Sequence, residues 1–115
     1  MSSTDDTLNF TAVCEVDDIL VNTGVCALLE GRHVAVFRLP GEQFFAIDNI
    51  DPKSGASVLS RGLVGNLGDQ LVVASPLYKN HFDLRTGACL EAAEYSVAAH
   101  GVKIEGRQVM VALRH

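Results

Sequence analysis

With 115 residues, the chain has room for one domain and for a core that folds without disulfides or a structural metal. Hydrophobic residues make up 48% and charged residues 20%, the balance of an ordinary globular domain, and a net charge of −5 argues against nonspecific nucleic-acid binding. No apolar run approaches the roughly 18 residues that span a bilayer, and the polar start, Met1-Ser2-Ser3-Thr4, lacks the features of a secretory signal. A cytoplasmic location without a membrane partner is expected.

Residues 1–9 are polar and read as a flexible N-terminus, leaving 10–115 as a single domain. The one helix candidate is 14–20, where Glu15, Asp17 and Asp18 open a short turn. Strand-like runs follow at 25–29, 33–39 and 43–48, separated by Glu30-Gly31-Arg32 and Pro40-Gly41-Glu42, the pattern of successive hairpins. In 33–39, Val34 and Val36 alternate with Ala35, Phe37 and Leu39, so the strand offers an apolar set to each face. Further runs are expected at 71–74, 81–84, 88–90, 97–100, 102–105 and 109–113, with tight turns at Arg85-Thr86-Gly87 and Glu105-Gly106-Arg107. Ten glycines at this rhythm predict an all-β sandwich or barrel. The least regular segments are 50–70 and 75–80.

Cys14, Cys26 and Cys89 form no C-x-x-C pair, which gives no support to a zinc ribbon or a thioredoxin-like motif. Each lies in an apolar stretch and reads as a buried, reduced, small hydrophobe, with reactive thiol chemistry as the alternative. No Gly-rich dinucleotide fingerprint follows a strand, and no nucleophile–base or paired-carboxylate constellation appears. No catalytic residue is assigned to the chain.

Two segments carry the resemblance to a known family. Asn49-Ile50-Asp51-Pro52-Lys53-Ser54-Gly55-Ala56-Ser57-Val58-Leu59 resembles the first ligand loop of a Rieske domain, and Ser75-Pro76-Leu77-Tyr78-Lys79-Asn80-His81-Phe82-Asp83 resembles the second, which reads C-P-x-H-G-x-x-F-D. Pro52, Pro76, Phe82, Asp83, Thr86 and Gly87 fall in register, and the likeness runs from about Val13 to Leu113. The four ligand positions depart: Asp51 and Lys53 in the first loop, Ser75 and Tyr78 in the second. A Rieske centre takes two thiolates and two imidazoles, so no cluster, metal or other cofactor is expected in this chain. Ligand loss with both loops kept, together with Asp51–Gly62 and Ala74–Lys79 as they stand, resembles the small subunits of assimilatory NAD(P)H-dependent nitrite reductase.

That resemblance implies an all-β, Rieske-like (ISP-type) domain of small antiparallel sheets or a distorted barrel, with the two loops apposed. It implies a non-catalytic subunit, inactive alone, supporting nitrite reduction to ammonium by a large subunit that carries siroheme, an iron–sulfur cluster and FAD. A stand-alone binding module for another oxidoreductase is the alternative, and a Rieske-type ferredoxin is disfavoured by the missing ligands. Asp51 and Lys53 read as solvated loop residues, as paired with each other or with a neighbour, or as partner contacts. Arg61 and Lys79 read as surface charges or as contacts to an acidic partner face. His81 reads as a structural histidine rather than a metal ligand with Asp51. Tyr78 is expected to pack between the loops in the space of a cluster, with Asp51 or Ser75 sharing a hydrogen bond there, so that Tyr78→Ala costs about 2–4 kcal/mol.

Overall fold

The computed structural model describes residues 9–114, and all but the last residue of the expected flexible segment 1–9 lies outside the described residues. The chain forms β1 (Thr11–Glu15), β2 (Thr23–Leu29), β3 (Arg32–Leu39), β4 (Gln43–Asp48), β5 (Leu63–Leu67), β6 (Gln70–Ala74), β7 (His81–Asp83), β8 (Ala99–Glu105) and β9 (Gln108–Ala112). All pairings are antiparallel. A six-stranded sheet has the order β1-β9-β8-β4-β3-β2, and its edge strands β1 and β2 approach one another, so the sheet nearly closes into a barrel. A second sheet has the order β5-β6-β7 and carries the second loop between β6 and β7.

Strand β3 divides the interior. Val34, Ala35, Val36 and Phe37 are all fully buried. Val34 and Val36 join Val16, Ile19, Val109 and Val111 in one core, while Ala35, Phe37 and Leu39 join Ile47, Leu59, Val73 and Phe82 in the other. A strand buried on both faces needs consecutive apolar residues, here Val34 to Phe37, and each fully buried Val or Phe contributes about 1.5–3 kcal/mol. The second core lies between the two sheets and therefore fixes where the loops meet.

Several elements differ from the reading of the sequence. Of residues 14–20, Cys14 and Glu15 end β1 and Val16–Asp18 form a single 3-10 turn, opened by Asp18 accepting the Glu15 N–H and ended where Ile19 returns to extended backbone. Residues 99–100 and the run 102–105 form one strand, β8, in which Gly101 keeps its place in the ladder opposite Ala112, while 97 and 98 lie outside it. Segment 88–90 makes only an isolated bridge, Phe82 with Cys89. Strands β1 and β5 were not expected. Gly62, at the entry to β5, has no room for a side chain: a Cβ there would lie 2.2 Å from the Ala74 carbonyl oxygen. That close approach seats the β5–β6 hairpin directly below the second loop.

Candidate functional site

Loop one (51–56) leaves β4, and loop two (75–80) joins β6 to β7. Both are closed by the same pair of backbone bonds. The Asp51 N–H donates to the Ala56 carbonyl at 2.8 Å and the Gly55 N–H to the Asp51 carbonyl at 2.7 Å; in loop two the Ser75 N–H donates to Asn80 at 2.8 Å and the Lys79 N–H to Ser75 at 3.0 Å. A third turn after β7 repeats the geometry, with Asp83 N–H to Ala88 at 2.8 Å and Gly87 N–H to Asp83 at 2.7 Å. In each, the first side chain accepts the N–H two residues on: Lys53 to Asp51 Oδ1 at 2.9 Å, Leu77 to Ser75 Oγ at 3.3 Å, Arg85 to Asp83 Oδ1 at 2.7 Å. Asp and Ser favour such turns for this reason. The fifth residue is left-handed in all three, with φ of 77° at Gly55, 63° at Lys79 and 81° at Gly87.

The loops meet through their first residues. The Ser75 hydroxyl donates to Asp51 Oδ2 at 2.5 Å, and the two residues are 1% and 0% exposed. Asp51 is therefore not the solvated loop residue of the first reading, and its partner is Ser75 rather than Lys53. The other two positions pair outside, where the Lys53 ammonium lies 4.7 Å from the centroid of the Tyr78 ring. Tyr78 is 48% exposed, which corrects the expectation that it packs between the loops. Two oxygens at hydrogen-bond distance leave no room there for a ring, and Tyr78 lies exposed beneath a cation instead.

The donor set does not fit a [2Fe–2S] cluster. A carboxylate and a hydroxyl bonded to one another stand at the inner positions, and an ammonium and a phenol at the outer ones, where the cluster takes thiolates and imidazoles. Cys14 lies on β1, Cys26 on β2 and Cys89 beyond the third turn, all outside both loops. Among the described residues, no group of three or more His, Cys, Asp or Glu converges as a metal site.

Loop one is anchored by a residue that the sequence did not single out for a role. Asn49 is buried; its side-chain amide donates to Ser57 Oγ at 2.7 Å and its Oδ1 accepts the Ser60 N–H at 2.6 Å. Asp48, beside it, receives Arg32 and His100 Nε2 on Oδ1, both at 2.8 Å, and the Ala98 N–H on Oδ2 at 3.2 Å. The Arg114 N–H donates to His100 Nδ1 at 3.0 Å, so this buried imidazole is held from both ring nitrogens, with Nε2 turned to Asp48. Burial pushes the Asp48 carboxyl up, but the His100, Ala98 and Arg32 bonds outweigh it and hold the group below its ordinary value.

His81 pairs with Glu91, its Nδ1 2.5 Å from Oε2, and not with Asp51. Its own N–H donates to the same carboxylate at 2.8 Å, and these bonds overcome a desolvation effect to hold Glu91 below the usual range. Arg61 ends the 3-10 turn Leu59–Arg61. It shares with Lys79, Leu63 and Pro76 a cleft of about 200 Å³ whose lining includes Ser75.

Two antiparallel sheets presenting a pair of apposed loops define a Rieske-like domain, and the sequence model described as "Rieske-like [2Fe-2S] domain" matches residues 9–112. The nitrite reductase (NADH) small subunit of Salmonella typhimurium is 49% identical over 94 residues, covering 81% of this chain and 87% of that one. The solution structure of the nitrite reductase [NAD(P)H] small subunit from Erwinia carotovora superposes with a TM-score of 0.78 at 50% identity, over 92% of this chain and 82% of that one. A nitrite reductase [NAD(P)H] large subunit from Klebsiella oxytoca is 44% identical over 100 residues, 87% of this chain but 10% of its own length. The chain belongs to the Rieske-like domain family, within its branch of nitrite reductase small subunits. No helix among the described residues is long and apolar enough to cross a membrane.

Proposed function

We propose that the chain is the cytoplasmic accessory subunit of an assimilatory NAD(P)H-dependent nitrite reductase, carrying no cofactor of its own and inactive alone. The chemistry, reduction of nitrite to ammonium, belongs to a large subunit that supplies siroheme, an iron–sulfur cluster and FAD. The observation that carries this reading is the fused relative, in which a domain 44% identical to this chain forms 10% of a nitrite reductase large subunit. A domain that occurs both fused to the large chain and as a separate small subunit is expected to work in the same assembly. Asp51, Lys53, Ser75 and Tyr78 then stand at vacated ligand positions, and Arg61 and Lys79 contact the partner.

The test is reconstitution. The large subunit of the same organism is purified anaerobically with and without this chain, and nitrite consumption and ammonium formation are followed with NADH and NADPH. The reading expects activity to rise when the chain is added and none from the chain alone. A large subunit whose activity and assembly ignore the chain would overturn it.

A further inference from the structure

Among the described residues, four lysines and arginines have a carboxylate within ion-pair distance: Arg32, Arg38, Lys103 and Arg107. Lys53, Arg61 and Lys79 have none among the described residues, and all three are exposed at the end of the domain where the loops meet. No Asp or Glu occurs in 52–68 or 70–82. Asp51 is buried against Ser75, Glu91 is taken by His81, and Asp69 sits at the far end of the β5–β6 hairpin from Ser75. A chain of net charge −5 thus carries a patch of three cations, and the exposed Glu91 beside it is paired with His81. Between these cations lie apolar side chains open to solvent, with Leu63 80%, Leu77 52% and Tyr78 48% exposed.

Lys79 supplies a second, independent observation. It is left-handed, φ 63°, at the position where the two turns of the same geometry carry Gly55 and Gly87. A side chain there is conformationally unfavourable, and glycine would relieve it. Residues held against their local preference cluster where they act on something outside the fold.

Resting on the subunit reading above, we infer that this loop end is the docking face for an acidic, apolar-centred surface of the nitrite reductase large subunit. Tyr78, Leu77 and Leu63 form the centre, and Lys53, Arg61 and Lys79 the basic rim. A second copy of this chain is a poor occupant, because a twofold contact would bring two tripositive patches together.

The test measures binding of the full chain to the purified large subunit at about 50 and about 500 mM salt, a range that strongly screens surface charge. Tyr78→Ala is expected to weaken binding about tenfold as a central aromatic anchor. Lys79→Gly is expected to weaken it roughly threefold at low salt, as one rim charge does, while unfolding at the same or higher urea concentration. Arg61→Glu should weaken binding, whereas Arg107→Glu, an equal change of charge at the β8–β9 turn beside Asp17, should not. If the wild-type chain binds and all three loop-end variants bind equally well, the docking face is overturned while the subunit reading stands. If the wild type does not bind at either salt, the subunit reading itself fails. Self-association of the chain that Arg61→Glu abolishes would give the face to a second copy and overturn the assignment.

Discussion

The Ser75 hydroxyl donates to the Asp51 carboxylate across 24 positions of sequence, and it is the buried cross-link between the two loops. A hydrogen bond to a buried ionised group contributes about 1.5–3 kcal/mol, and removing one partner strands the other. Asp51→Ala also frees the Lys53 N–H, and is expected to cost about 2–4 kcal/mol; Ser75→Ala should cost about 1–3 kcal/mol. Because the two act on one bond, the double variant should lose clearly less than the sum of the singles, with a coupling above about 1 kcal/mol in urea unfolding. Additive losses would mean that the loops are held elsewhere.

Tyr78 behaves differently. Its ring is half exposed under the Lys53 ammonium, a contact worth about 0.5–1 kcal/mol at the surface. Tyr78→Ala should therefore lower stability by less than about 1 kcal/mol. A loss near the 2–4 kcal/mol expected of an emptied core site would place the ring inside after all.

The acid limb of stability should report Asp48. Its folded carboxyl is held below its ordinary value, so its contribution is complete above the unfolded value of about 3.9 and is lost as pH falls through the folded value. Glu91 moves in the same direction and is removed by working in a Glu91→Gln background. There, the stability difference between Asp48 and Asp48→Asn should shrink as pH drops below about 4. A difference independent of pH would contradict the assignment.

Thiol labelling separates the cysteines, which the sequence had grouped as buried. Cys26 is exposed on edge strand β2, Cys89 is buried, and Cys14 is half-buried, with burial and the nearby Asp18 pushing its thiol up. With the native chain, Cys26 should react fast, and Cys14 and Cys89 should react only slowly or on unfolding. Rapid reaction of Cys89 would contradict the packing of the core between the sheets.

What was legible in the sequence follows from local physics. Strand β3 was readable because alternate apolar side chains feed two cores, and β4 because turn residues bracket it. Strand β1 was not, since Thr11, Ala12 and Glu15 are exposed and pairing with β9 helps hold the segment extended. Strand β5 contains Gly65 and Asn66, poor strand formers, and exists through its ladder with β6. The loops were legible as a pair, but the hydrogen bond expected there was between Tyr78 and Asp51 or Ser75, and the one that forms joins Ser75 to Asp51. Tyr78 was misplaced because the direction of a side chain at a loop tip depends on backbone torsions that spacing does not encode. Asn49 gave no signal, as its bonds to Ser57 and Ser60 exist only once the loop has folded back.

The most direct test of a Rieske-like fold closed by protein contacts is the iron and acid-labile sulfide content of the chain purified anaerobically, read with its absorption and electron paramagnetic resonance spectra. The account predicts a colourless protein without stoichiometric iron or sulfide, folded to the same extent whether or not iron is supplied during expression. Two irons and two sulfides per chain with a reducible Rieske-type signal would contradict it.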